Sequence, residues 1–417
     1  MKKEQTIYII GAGISGLIAA YELERAGFSP IILEASDGVG GRVRTDEFKG
    51  FLLDRGFQVL LTAYPEAQRY LDYEALHLKN FEPGALILKP GDAFSISDPL
   101  RNPGKTLSMA FSPVGSLFDK IKIYQLTQSL KQKTEEEIFS EKSTTTFQFL
   151  KDYGFSDKII NNFFKPFFRG IFLENELSTS SRMFKFVFKM FSQGFAAVPE
   201  KGMQAIPEQL KEKLTKSQIR LNTPVKQVEY GKIYLSSGDV LEADSIIIAS
   251  RPDRILPQLQ GQFKPSRKVV NMYFSIEHSF IAQPKIALVT DDQFLINNLV
   301  FMTDVSSAYS HNNKALLSVS ITKPVEVDDK LAKLVAIELS ALTKISAEFF
   351  EHVKTYIIEN ALPDVDDMAY SLAAGNTKVS DGVFLAGDYM LNGSINAAMT
   401  AGRKAAEAVI SSYQTVH

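Results

Sequence analysis

Short apolar runs and longer amphipathic stretches alternate along the 417-residue chain, and their spacing predicts most of its elements. Thr6-Ile7-Tyr8-Ile9-Ile10 is a β-rich run of the kind that is buried on both faces of a sheet. Gly11-Ala12-Gly13-Ile14-Ser15-Gly16 follows, then helix formers from Leu17 to Ala26 with Gly27 as the stop. Pro30 to Glu34 is the next strand, so the first segment reads as one right-handed βαβ unit. Strand patterns return at Ile219–Asn222, Val225–Tyr230, Lys232–Ser236, Val240–Glu242 and Ser245–Ala249, with a Ser-Gly-Asp turn at 237–239. Lys268–Ile276 and Ala315–Ile321 alternate as strands, and a helix is expected over Asp328–Leu342. Gly382 to Val409 reads as strand, glycine-rich turn and helix.

Between about 85 and 200 the pattern changes. Leu117 to Phe139 reads as one amphipathic helix rich in Lys, Gln and Glu. Asn161 to Phe195 carries ten phenylalanines, including Phe163, Phe164, Phe167, Phe168 and Phe172. Pattern alone allows a helical core or the wall of an apolar cavity. Arg182, Lys185 and Lys189 beside it raise a third reading, a membrane-surface patch.

Composition narrows the chemistry. With no cysteine, disulfides, thiolate metal sites, cysteine nucleophiles and a cysteine-tethered cofactor are excluded. The five histidines (His77, His278, His311, His352, His417) have no metal-ligand spacing, so no metal is expected. No two glycines lie four apart, which removes the G-x-S-x-G hydrolase elbow. A net charge of -2 gives no reason to expect nucleic acid. Met1-Lys2-Lys3-Glu4-Gln5 leads directly into a strand, and no run of 18 apolar residues occurs; no signal peptide, no transmembrane segment and a cytoplasmic location are expected.

The glycine loop carries the first specific signal. Gly11 permits the tight turn, Gly13 lets a pyrophosphate approach the backbone, and Gly16 lets helix and strand pack closely. The helix start then offers unpaired N–H groups and a positive dipole end to phosphate. Glu34, 18 residues after Gly16, is placed to accept hydrogen bonds from an adenosine ribose and to repel a 2′-phosphate. Gly40-Gly41-Arg42 follows, with a second close backbone approach and a guanidinium suited to pyrophosphate. An NAD-dependent dehydrogenase would account for Gly11 to Glu34 but leaves Gly40-Gly41-Arg42 without a purpose.

Glu34-x5-Gly40-Gly41-Arg42-x-x-Thr45 resembles the signature of the FAD-dependent amine oxidase, protoporphyrinogen oxidase and phytoene desaturase superfamily. Leu53-Asp54-Arg55-Gly56-Phe57-Gln58 resembles the family segment that runs beside the flavin ring. Gly202 to Pro207, Thr223-Pro224-Val225 and Ala243 to Ala249 are similar to further family elements, as are Val383 to Asp388 and Ser394 to Ala398. Ala397 stands where the family often has Gly, and Ala401 where Ser is common. The resemblance implies an α/β fold: a Rossmann-type FAD-binding domain assembled from three chain segments (1–85, 200–260, 361–417). An α+β substrate domain would be formed by two insertions (86–199, largely helical, and 261–360).

It also implies non-covalent FAD. The expected contacts are Gly11, Gly13, Ile14, Ser15 and Gly16 in the first loop, Glu34 and Ala35 at the strand end, and Gly40, Gly41 and Arg42. Gly56, Phe57, Val225, Gly387, Asp388, Ser394, Ile395, Ala397 and Ala398 complete the set. The implied activity is hydride transfer to flavin N5, with O₂ or a quinone-like acceptor taking the electrons onward. No catalytic triad is expected; Arg55, Phe57, Gln58 and Arg169 are the candidates to line the substrate cavity, with an ion pair the alternative for Arg169. The aromatic insertion favours an apolar small-molecule substrate, isoprenoid or cyclic, acted on by a desaturase or dehydrogenase. A flavin amine oxidase acting on a small amine or polyamine is the alternative. A second is a non-catalytic lipid- or prenyl-binding protein, as the similar GDP-dissociation inhibitors are, though the FAD elements here are intact.

Overall fold

The computed structural model describes residues 5–97, 115–229 and 231–414. Met1 to Glu4, Tyr230 and His417, which entered the sequence reading, lie outside them.

Fully apolar runs become parallel strands covered on both faces. Ile7–Ile10 and Ser245–Ile248 are buried at every position and pair in register, Ile7 with Ser245 and Ile10 with Ile248. The sheet they centre has six strands in the order Gln218–Arg220, Ile31–Leu33, Ile7–Ile10, Ser245–Ile248, Val383–Leu385, Lys378–Ser380. All pairings are parallel except the last. Three separate stretches of chain therefore build one Rossmann-type sheet. Helix Ile14–Arg25 follows the first strand and packs on the C-terminal helix Ile395–Gln414. Gly402 makes that contact possible, since a Cβ there would sit 2.3 Å from the Ser15 carbonyl oxygen.

A second, seven-stranded sheet runs Glu351–Leu362, Arg267–Ile276, Ala315–Ile321, Asn298–Phe301, Ala287–Val289, Gly84–Lys89, Asp92–Ser97. One face packs on helix Leu331–Thr343 through Val270, Met272, Leu317, Val319 and Val335. Asn271, Tyr273, Ser318 and Ser320 point the other way, as strand alternation requires.

Two helix boundaries differ from the sequence expectation. Leu117–Phe139 divides into Leu117–Lys131 and Glu135–Ser140, because Thr134 and Glu137 form a capping box that starts a new helix. The helix expected from Asp328 begins at Leu331; the Asp328 carboxylate instead accepts the Lys330 and Leu331 N–H groups, both at 3.0 Å. The remaining insertion helices include Lys165–Phe172, entered through a π-helical turn at Ile160–Phe164, and Ser181–Gln193. Phe164, Phe168, Phe172, Phe184 and Phe186 are fully buried among them, each contributing about 1.5–3 kcal/mol of burial free energy.

Candidate functional site

Strand Ile7–Ile10 ends at Gly11, whose φ of +105° and N–H bond to the Leu33 carbonyl (2.8 Å) turn the chain sharply. A Cβ on Gly16 would lie 2.0 Å from the Gly11 oxygen, so only glycine lets the helix press onto the loop. At Gly13 a Cβ would meet nothing within 4 Å: the backbone faces open space there. Gly13 is also the N-cap and supplies no side chain, which leaves the first-turn N–H groups available to an anion. Gly40 donates its N–H to the Ala12 carbonyl (2.9 Å), bringing the second glycine pair against the first loop.

The Glu34 carboxylate ties these parts together. It accepts the Ala12 N–H at 2.7 Å, the Ser36 N–H at 2.9 Å and the Ser36 hydroxyl at 2.8 Å. A carboxylate has about four acceptor sites, so roughly one remains for a ribose hydroxyl. Arg42 pairs with Asp388 at 2.5 Å and reaches the Ala361 carbonyl at 3.2 Å. Next to Asp388, the Tyr389 hydroxyl is buried without a hydrogen-bond partner among the described residues, as is the Ser250 hydroxyl. Burial pushes the Tyr389 phenol up. Two glycine cradles, a free helix start and two orphaned hydroxyls around one cavity fit a phosphate-bearing dinucleotide such as FAD. The Ser394 hydroxyl accepts the Ala397 N–H (3.0 Å), capping the C-terminal helix, whose cap and first residue, Ser394 and Ile395, line the cavity.

The cavity encloses about 900 Å³. Gly11, Gly13, Ile14, Ser15, Glu34, Gly40, Gly41, Arg42, Gly56, Phe57, Gly387, Asp388, Ser394, Ile395 and Ala398 all line it. Gly16, Ala35, Val225 and Ala397 do not. Gly16 packs under the loop, and Ala397 is fully buried against Leu391 and Ala401. Val225, half-buried at the start of strand Val225–Glu229, packs against the core residues of that region.

Of the four substrate-side candidates, Arg55, Phe57 and Gln58 line the cavity. The Arg55 guanidinium is held by Asp46 (2.8 Å), which raises its pKa, and the Gln58 amide donates to the Arg42 carbonyl at 2.8 Å. Arg169 is not in the wall: it is 6% exposed and paired with Asp292 at 2.8 Å, the ion-pair alternative. The phenylalanine segment serves in both ways allowed by the pattern. Phe164, Phe184 and Phe186 are core, while Phe163, Phe167, Phe188, Phe191 and Phe195 face the cavity. The membrane-patch reading around Arg182, Lys185 and Lys189 does not survive. Both lysines are buried and paired, Lys185 with Glu141 (2.5 Å) and Lys189 with Glu135 (2.7 Å), and Arg182 pairs with Asp367 at 2.7 Å. Exposed apolar side chains gather instead at Leu117, Phe118, Ile121 and Tyr124, and Tyr124 also lines the cavity.

Two features escaped the sequence reading. Asp54, 1% exposed, precedes the Arg55–Gln58 wall and accepts from the Thr45 hydroxyl (2.6 Å), the Met203 N–H (2.9 Å) and the Tyr309 hydroxyl (2.7 Å). Burial drives its pKa up against these hydrogen bonds. Asn298 and Ser320 add polar atoms to the otherwise apolar part of the wall. For Ser320 the signal was present as the alternation of Ser318 and Ser320 with apolar residues; Asn298, at the start of the apolar run Asn298–Phe301, carried none.

Known proteins can be set beside this geometry. The family model for flavin containing amine oxidoreductases matches residues 14–410. Protoporphyrinogen oxidase 2 of Arabidopsis thaliana is 38% identical over 66 residues, 16% of this chain and 13% of that protein. An L-amino acid oxidase of Crotalus durissus cumanensis is 41% identical over 75 residues, 18% and 15% of the two chains. The chain thus spans 15% or less of the length of these curated relatives. Cyclohexylamine oxidase from Brevibacterium oxydans superposes with a TM-score of 0.69 at 17% identity, covering 99% of this chain and 100% of that one. At that identity the likeness speaks for the fold alone.

Proposed function

The chain belongs to the flavin containing amine oxidoreductase family, and from that premise we propose that it is an FAD-dependent oxidoreductase acting on an uncharged, apolar substrate. FAD, when bound, supplies the hydride acceptor. In this reading the Gly11–Gly16 and Gly40–Gly41 backbones hold the pyrophosphate, Glu34 an adenosine ribose hydroxyl, and Arg42 and Asp388 the phosphate and ribityl region. The start of helix Ile395–Gln414 offers its N–H groups to the flavin ring. Phe57 and the Phe163–Phe195 wall orient the substrate and exclude water.

One observation carries the choice of substrate: beyond the glycine loops the cavity wall is mainly phenyl and aliphatic, its Arg55, Arg251 and Glu82 are each matched by a partner charge, and its lysines, Lys120 and Lys131, both lie on helix Leu117–Lys131. Tyr124 is half exposed there, so the cavity meets solvent beside an apolar patch. Contact of Leu117, Phe118 and Ile121 with a lipid surface would deliver an apolar substrate to that opening.

The test is the visible spectrum of the purified protein, followed by anaerobic titration. A flavin chromophore released by heat is expected, bleached by an isoprenoid or cyclic hydrocarbon substrate and not by putrescine or cyclohexylamine. Bleaching by the amines would replace this reading with the amine oxidase one. A colourless protein that cannot be reconstituted with FAD would promote lipid binding without catalysis. O₂ and a quinone are then compared as acceptors for reoxidation.

A further inference from the structure

The seven-stranded sheet turns a row of uncharged polar side chains toward the apolar cavity. Strand register sets Asn271 opposite Ser320, and Ser320 opposite Asn298, in one line across three strands. Ser318 and Tyr273 stand opposite each other two residues along the same face. Asn298 and Ser320 line the cavity, and Gly170 of helix Lys165–Phe172 lies over them: a Cβ there would fall 3.1 Å from Asn298 Oδ1. The row is almost wholly removed from solvent, Asn271 at 0%, Asn298 at 2% and Ser320 at 5% exposure.

The hydrogen bonds between members of the row are long. The Ser318 and Ser320 hydroxyls both donate to Asn271 Oδ1 at 3.2 Å, and Asn298 Nδ2 donates to Ser320 Oγ at 3.4 Å. These sit at or beyond the long end for such bonds. Asn271 Nδ2 has no partner among the described residues, and turning the amide over would only move the orphan to its oxygen. The neighbouring Asn297 Oδ1 is also unpaired, while its Nδ2 donates to Asn298 Oδ1 at 2.9 Å; Asn271 and Asn297 both lie outside the cavity wall. Native interiors rarely leave buried amides in this state, and both orphans sit on side chains bonded to the two wall residues, Asn271 to Ser320 and Asn297 to Asn298. None of the hydrogen bonds of Asn271, Ser318, Ser320 and Asn298 named above involves a charged side chain.

We infer that Asn298 and Ser320 form a neutral polar subsite that takes the hydroxyl or carbonyl group of an otherwise apolar substrate. The inference rests on the apolar-substrate reading and refines it. A ligand oxygen at this point accepts from Asn298 Nδ2, or from the Ser320 hydroxyl once that turns away from Asn271 Oδ1, or donates to Asn298 Oδ1. With no charge in the row, a carboxylate or an ammonium would lose hydration without a counterion, so both are disfavoured.

The test uses holoprotein preloaded with a solvatochromic apolar dye and displaced by octane, 1-octanol, 2-octanone or octylammonium. Wild type is compared with Ser320→Ala and Asn298→Leu, whose bound-flavin spectra and octane affinities report whether the cavity is intact. The octanol-to-octane affinity ratio is expected to fall about fivefold to tenfold in each variant, the value of one neutral hydrogen bond. The octanone ratio should fall in parallel. Ratios unchanged in both variants would overturn the subsite while leaving the apolar cavity standing. Displacement by octylammonium in preference to octanol, or by none of the probes, would overturn the apolar-substrate reading and the subsite with it.

Discussion

Replacing Asp54 by asparagine and by alanine separates its charge from its shape. The carboxylate is fully buried and accepts three hydrogen bonds: Thr45 and Met203 to Oδ1, Tyr309 to Oδ2. Alanine strands the Met203 N–H and the Tyr309 hydroxyl, both buried, along with the half-buried Thr45 hydroxyl. At about 1–3 kcal/mol for each stranded donor, with some relaxation at Thr45, Asp54→Ala should cost about 3–5 kcal/mol. Asparagine keeps the Oδ1 acceptor for Thr45 and Met203, and the Tyr309 hydroxyl can turn to accept from Nδ2. Asp54→Asn should therefore stay within about 1 kcal/mol of wild type. The pH dependence follows in sign. Burial raises the folded-state pKa of Asp54, so its contribution is fully present below the unfolded value of about 3.9 and is lost as pH rises toward the folded value. Asparagine does not titrate, so the stability of Asp54→Asn relative to wild type should improve between about pH 4 and pH 7. Urea unfolding at the two pH values measures both quantities. If Asp54→Asn is as damaging as Asp54→Ala, or its gap to wild type does not move with pH, this account of the buried acid is wrong.

Arg42→Ala leaves the Asp388 carboxylate without its 2.5 Å partner and removes the cation assigned to the pyrophosphate, so FAD affinity should fall about 10- to 100-fold. Glu34→Gln sets an amide N–H against donors from Ala12 or Ser36 and should weaken FAD at least as much. Titration of the apoproteins with FAD checks both, and full occupancy in either variant at wild-type affinity would remove that residue from the cofactor site. Gly402→Ala places a methyl 2.3 Å from the Ser15 carbonyl and should lower stability by about 1–3 kcal/mol while loosening the glycine loop. An unchanged melting temperature and flavin content would show that the two helices yield freely. Phe118→Glu, at a side chain 75% exposed, should cut binding to anionic lipid vesicles about tenfold without changing flavin content; equal vesicle sedimentation of both proteins would sink the lipid contact.

What sequence disclosed and what it hid divide along a physical line. Parallel strands buried on both faces are unbroken apolar runs, so Ile7–Ile10 and Ser245–Ile248 could be read directly, and with them a sheet gathered from three stretches of chain. Gly11, Gly16 and Gly40 were legible because their backbone angles or close approaches admit no side chain. Partners distant in sequence were not. Lys185 and Lys189 look like surface cations until Glu141 and Glu135, 44 and 54 residues away, are brought against them. Arg169 likewise meets Asp292 across 123 residues. The boundary at Thr134 was written as T-x-x-E, but an amphipathic pattern running through it masked the cap. Val225 follows its motif as far as local structure goes: the matching sequence forms the strand Val225–Glu229.

The charges of the cavity explain why its polar row matters. Arg42 is matched by Asp388, Arg55 by Asp46, Arg251 by Asp253, and Glu82 by Lys285, the last at 3.2 Å with Lys285 only 1% exposed. Lys120 and Lys131 on helix Leu117–Lys131 apart, a charged substrate meets groups already matched by a partner, and at the buried Glu82–Lys285 pair uncovering one half costs about 3–5 kcal/mol. A substrate that is wholly hydrocarbon breaks none, but it offers no partner to the polar atoms of Asn298 and Ser320 in the wall. An apolar molecule with one hydroxyl or carbonyl satisfies both conditions, because it leaves every ion pair intact and gives Asn298 and Ser320 a partner. Selection by this cavity is therefore a matter of where the single polar group falls along the substrate. Moving that group by one carbon should change affinity more than lengthening the hydrocarbon by one carbon: a misplaced oxygen loses its hydrogen bond and is buried besides, while an added methylene contributes about 0.8 kcal/mol.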